Sequence, residues 1–170
     1  MALFNLGAKG LTGLEQNSKL VILQADVANA DVSANTLADV TGLSFPLVLG
    51  KQYWVKVLIN FTTPASTTGS RWTVSTPNCT RLALREDISL GTATSTLVPR
   101  ITDDGAPASA TATSTSAVAN KNTAPGGVVF MEGLVIPAAD GTFQVQFASA
   151  VSASAVTAKA GSYIEYTEIE

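Results

Sequence analysis

VVFMEGLVIPAADGTFQVQF, residues 128–147, reads as two β-strands around a turn. Val128 to Ile136 is a nearly unbroken apolar run. Pro137 ends it, because proline cannot donate to a ladder. Ala138-Ala139-Asp140-Gly141 is the turn, with Asp-Gly supplying the backbone freedom a reversal needs. Thr142 to Phe147 then alternates, Phe143, Val145 and Phe147 facing one side and Gln144 and Gln146 the other. The second strand is predicted to be the partner of the first.

Working outward toward the C-terminus, Ser154 to Lys159 and Tyr163 to Ile169 complete the sheet, joined around Gly161-Ser162. Toward the N-terminus, Thr80 to Arg85 is a strand with Leu82 and Leu84 inward and Arg81, Ala83 and Arg85 outward. Arg71 to Val74 is another, ended by Pro77. The longest is Tyr53 to Phe61, where Tyr53, Val55, Val57, Ile59 and Phe61 share one face and Lys56 and Asn60 lie on the other. Residues 36–48 alternate, with Leu37, Val40, Leu43, Phe45 and Leu47 as core candidates. Pro46 there marks a strand end, an edge or a bulge. Leu20 to Leu23 is a short buried run. Residues 88–101 are Thr-rich and only weakly strand-like. Residues 103–125 are small and polar and predict a long loop. Residues 1–18 read as an irregular arm, since Gly7, Gly10 and Gly13 each cost about 1 kcal/mol in a helix. Eight to ten short strands in one body, residues 19–170, argue for an all-β fold, a two-sheet antiparallel β-sandwich. The long crossing loops favour a jelly roll over an immunoglobulin-like sandwich, and no Cys–Trp–Cys spacing supports the latter.

The chain has 170 residues, one domain's worth, with 46% apolar and 14% charged residues. Globular proteins usually carry about 25% charged residues; here 36 Ser and Thr and 25 Ala take their place. Ten basic residues against 13 acidic ones give a net charge of −3 with no basic cluster, which argues against nucleic acid as a partner. No apolar stretch reaches the length of about 18 residues that spans a bilayer, so no membrane partner is expected. The N-terminus lacks the continuous apolar core of a secretory signal.

Catalysis is hard to assemble from this composition. Histidine is absent, which removes the commonest general base and metal ligand. The single cysteine, Cys79, forms neither an internal disulfide nor a Cys-rich zinc site. No phosphate-binding glycine loop or metal motif is present. Asp103-Asp104-Gly105 is the best cation candidate by composition, but two acids and a glycine read as a solvated turn. Glu86-Asp87 is a possible carboxylate pair, whereas Glu165 and Glu168 lie on opposite strand faces and do not converge; no pair stands out as the two facing carboxylates a polysaccharide-degrading enzyme would need. The expectation is a non-enzyme with no catalytic residues, metal or cofactor. A glycan- or receptor-binding module needs exposed aromatic faces, and Trp54, Trp72 and Tyr163 are the candidates. Arg71 beside Trp72 is a candidate cation–π pair.

FTTPASTTGSRWTV (61–74), TRLALR (80–85) and GGVVFMEGLVIPAADGTFQVQFASAVSASAVTAKAGSYIEYTEI (126–169) resemble β-sandwich virion structural proteins of tailed bacteriophages. The blocks cover less than half of the chain and are patterns of fold, so no family site residues carry over. The resemblance implies a virion protein. Within that group the N-terminal arm favours a capsid decoration (cement) protein, which binds the outer capsid surface and stabilises the head by multivalent contacts. It implies a major capsid protein as partner, a homotrimer, and a place on the capsid surface after assembly in the host cytoplasm. Leu3, Phe4, Leu6, Leu11 and Leu14 of the arm are then the expected contacts with capsid or neighbouring protomer. The alternative is a receptor- or glycan-binding module at the virion surface or tail.

Overall fold

A computed structural model describes residues 18–29, 33–64, 68–90, 96–104 and 127–169. Eleven strands are present among them: β1 (Ser18–Ile22), β2 (Val27–Asn29), β3 (Ala38–Leu47), β4 (Gln52–Thr62), β5 (Ser70–Ser75), β6 (Cys79–Leu90), β7 (Thr96–Asp104), β8 (Gly127–Pro137), β9 (Gly141–Ser149), β10 (Val156–Ala158) and β11 (Tyr163–Ile169). The five arm leucine and phenylalanine candidates and loop residues 105–125 lie outside the described residues. Asp103 and Asp104, expected in that loop, instead end β7, opposite Ala83 and Leu82 of β6.

The expected two-sheet antiparallel sandwich is the observed architecture. One sheet has the order β1-β11-β4-β8-β6-β7, with β2 and β10 alongside; the other is β3-β9-β5. The pairs β1·β11, β2·β10, β3·β9 and β4·β8 are nested within one another along the chain. Three of these pairs lie in the large sheet and β3·β9 in the small one, and such nesting is the kind of winding a jelly roll has. A further nested pair, β5 with β6, would complete the small sheet. Instead β6 crosses back to the large sheet and pairs with β8, and β7 returns along β6.

One predicted pairing is overturned. Residues 128–136 and 142–147 form strands, but β8 and β9 do not pair. β8 pairs with β4 and β6 on its two edges, and β9 pairs with β3 and β5 in the other sheet. With both edges of β8 taken, the turn at 138–140 becomes a corner between sheets. Asn78 and Asp140 anchor it: the Ala138 amide donates to the Asn78 carbonyl (2.7 Å), and the Leu49 amide donates to Asp140 Oδ1 (2.7 Å). In the same way β10 and β11 are not a hairpin. They run end to end along β4, opposite Phe61–Thr62 and Gln52–Leu58.

The core is built by period-two alternation. Tyr53, Val55, Val57, Ile59 and Phe61 of β4 are buried, as are Leu82 and Leu84 of β6 and Phe143, Val145 and Phe147 of β9. In β3 the buried set changes parity, from Val40 to Leu43, Phe45 and Leu47. The sequence pattern carries that slip, and the structure resolves it as a bulge between Asp39 and Ser44 with Gly42 at φ +98°. Glycine adopts that conformation without a Cβ penalty. Gln144 fills the gap opposite: its amide donates to the carbonyls of Val40 (3.1 Å) and Leu43 (3.2 Å). Pro46 sits on the edge strand of the small sheet, where its missing N–H costs no ladder bond.

Candidate functional site

Successive residues of β5 face opposite sides, so Trp72 and Arg71 cannot stack, and the expected cation–π pair is not formed. Trp72 is fully buried, its ring 5.3 Å from Phe147 and 5.2 Å from Phe61, with Nε1–H donating to Ser70 Oγ (3.0 Å). Trp72 is therefore a core residue and not a ligand-facing aromatic. A cation over a ring is found elsewhere: Lys19 Nζ lies 5.8 Å from the Tyr166 centroid. Cys79 is buried, and burial pushes its thiol pKa up, against a weaker opposing bond to Thr76. A raised thiol pKa leaves little thiolate, which fits a structural cysteine. Glu86 points into the interior and Asp87 outward, so this possible carboxylate pair does not converge.

Trp54 and Tyr163 both lie on the outer face of the large sheet, the face turned away from the small sheet. Strand register arranges this face in rows. Directly opposed residues give the row Ser18, Thr167, Trp54, Leu134 and Ala83. The next row is Leu20, Glu165, Lys56, Glu132 and Arg85. The third is Ile22, Tyr163, Leu58, Phe130 and Asp87. Two rows apart along the strands, Trp54 and Tyr163 stand about 13 Å from one another. The three candidate aromatics therefore do not line one groove.

The middle row alternates in sign across four adjacent strands. Lys56 Nζ lies 3.9 Å from Glu132 Oε1, and Trp54 Nε1–H donates to the same oxygen (3.3 Å). Ser18 Oγ–H donates to Glu165 Oε1 (2.7 Å), and Arg85 pairs with Asp87 (3.0 Å). The flanking rows are largely apolar. Leu20 is 58% exposed, Ile22 44% and Trp54 41%. Among the described residues, no strand packs on this face. A shallow groove of about 330 Å³ opens at one end, lined by Ser18, Trp54, Lys56, Glu165, Thr167 and Ile169.

Sequence reasoning placed Lys56 opposite the core face but missed the row it belongs to. A signal for the face, though not for the row across it, was present in β8. Val128, Phe130, Leu134 and Ile136 are apolar at the outward positions while Val129, Met131 and Val135 are apolar inward. A strand apolar on both faces is usual for a sheet covered on both sides. Among the described residues no group of three or more His, Cys, Asp or Glu side chains converges on a point.

No protein-family model matches the chain, and no curated protein matches it either. Among solved structures it is similar to the VP2 subviral particle of infectious bursal disease virus, at 11% identity and a TM-score of 0.24, over 89% of this chain and 39% of that one. Structures of the Gt strain (12% identity, TM-score 0.26, 89% and 42% covered) and the Gx strain (12%, 0.25, 89% and 40%) of that virus compare similarly. This chain spans about two fifths of the length of those chains. At such scores the likeness carries nothing about what this chain does.

Proposed function

We propose that the protein is a structural component of a virion, a capsid decoration protein that holds the outer capsid surface by many non-catalytic contacts. The observation that carries this reading is the open face of the large sheet, which fits a protein that works by contact with other protein chains, further copies of itself included. A full sheet face with Trp54, Leu58, Phe130 and Leu20 on its surface is an expensive thing to leave in water. The resemblance to phage virion proteins supports it, and its three blocks fall on the strands that build the scaffold. Low overall charge supports it as well, since Ser, Thr and Ala desolvate at lower cost than Lys and Glu. The arm, residues 1–18, is the proposed clamp on the major capsid protein or a neighbouring copy. Burial of Leu3, Phe4, Leu6 and Leu11 would contribute on the order of 5 kcal/mol per arm before ordering costs. Several arms on one particle then act by avidity.

Mass spectrometry of separated heads and tails should find the chain with heads. Deleting residues 1–16 should strip it from capsids in a pull-down on purified particles. Unchanged occupancy after the deletion defeats the clamp, and recovery from tails defeats the capsid location.

A second reading, a glycan- or receptor-binding module, is favoured by one feature. The groove at Trp54 presents an exposed indole beside the polar groups of Ser18, Lys56, Glu165 and Thr167. On that reading a glycan array gives a signal with the native chain that Trp54→Ala abolishes. No signal on the array removes it.

A further inference from the structure

We infer that the outer face of the large sheet is a two-fold interface with a second copy of this chain. The inference deepens the self-association part of the proposed function, and it is tested without capsids. Its basis is the symmetry of the charged row. Read across β11, β4, β8 and β6, the row is Glu165, Lys56, Glu132, Arg85: negative, positive, negative, positive. An alternating row of four is complementary to its own reversal. A two-fold axis parallel to the strands, between β4 and β8, produces that reversal when two faces meet. Lys56 then faces the partner's Glu132, and Glu165 faces the partner's Arg85.

The same operation leaves each row opposite itself, so apolar rows meet apolar rows. Trp54 comes to lie against the partner's Leu134, and Leu58 against the partner's Phe130. Tyr163 faces the partner's Asp87, where a phenol can donate to a carboxylate. Each contact occurs twice, which is the mark of an isologous interface. Twist crosses packed sheets at about 30°, so the register holds best at the centre of the face, where Lys56 and Glu132 stand.

The area suffices. Four strands at about 4.8 Å spacing and eight residue steps at about 3.4 Å give about 500 Å² per copy. Two copies bury about 1,000 Å², the lower bound for a specific interface. The affinity expected from so modest an area is moderate, so the dimer should dissociate on dilution. The symmetry makes a pair and not the three-fold arrangement that the family resemblance implies.

The experiment is sedimentation of the full chain over a concentration series, with tryptophan fluorescence in parallel. The expected result is a species of twice 17.5 kDa. Trp72 is fully buried in each copy, so a concentration-dependent blue shift reports Trp54 alone. Lys56→Glu places like charges at both central contacts and should weaken pairing by about tenfold or more. Adding Glu132→Lys to Lys56→Glu gives a row of two negative and two positive charges, again complementary to its reversal, and should restore pairing. Both positions are solvent-facing, and an unchanged circular dichroism spectrum and melting point show that each variant folds. A monomer at all concentrations overturns the inference, as does a trimer. So does a dimer indifferent to Lys56→Glu, or one that the second substitution fails to rescue. Capsid binding is a separate measurement, so either proposal can fail alone.

Discussion

Asp26 is held by two donors on the far side of a break in the large sheet. Lys159 Nζ bonds its carboxylate, and the Ala160 amide donates to Oδ1 (2.9 Å). The lysine bond is the larger cause and the amide the next, and together they hold the Asp26 pKa below its ordinary 3.8. A carboxylate lowered in the folded state stabilises the fold above the unfolded pKa, and that contribution is lost as pH falls through the folded one. Melting temperature should therefore decline on acidification below about pH 4. Asp26→Asn should flatten part of that decline, an effect kept small because the group is exposed at the surface. Thermal unfolding of both forms across the acid range measures it, and parallel curves would contradict the assignment. The two tryptophans make a second point at this scale. Trp54 was readable as outward from its strand's alternation. Trp72 sits in a shorter strand, where Trp72 and Val74 share a face, and only packing against Phe61 and Phe147 showed that face to be the core.

Strand β8 is the central element. It is held on one side by β4 and on the other by β6, and its outward side chains supply part of the open face. Gly133 is required by the approach of β6. A Cβ there would collide with the Ala83 carbonyl oxygen, a backbone atom that moves only if the strand moves. Gly133→Ala should cost about 3 kcal/mol, read as a drop in the urea midpoint; an unchanged midpoint would show that β6 yields freely. Strand existence was largely legible from alternation and from Gly and Pro punctuation. β2 was too short to register, at three residues, and β7 lay in a Thr-rich stretch with weak contrast between its faces. The pairing of β8 with β9 was read from adjacency. Adjacency fails in a sandwich, because a corner and a hairpin have the same turn residues.

Across the whole molecule, the two sheets differ in their surroundings. The small sheet covers the inner face of the large one, and the opposite face of the large sheet stays open among the described residues. That asymmetry is what a surface-attached protein would use, one face inward to its own core and one outward to other chains. On this view self-pairing and capsid attachment draw on different parts of the chain. The sheet face serves the first and the N-terminal arm, residues 1–18, the second. Lys56→Glu should then weaken pairing in solution and leave an arm-dependent interaction with particles in place.

The chain alone determined the class: period-two burial, scattered Gly and Pro, and no helical periodicity leave only an all-β sandwich. It also determined which side of β4, β6 and β9 faces inward, because alternation is a local property of each strand. Which strands lie side by side, and hence the charged row across β11, β4, β8 and β6, was decided by tertiary structure. Residues 56, 85, 132 and 165 are far apart in sequence, and only the register of four separate strands brings them into line. Register is set by long-range packing, with bulges such as the one at Gly42 adjusting it, so no local pattern could have revealed that row.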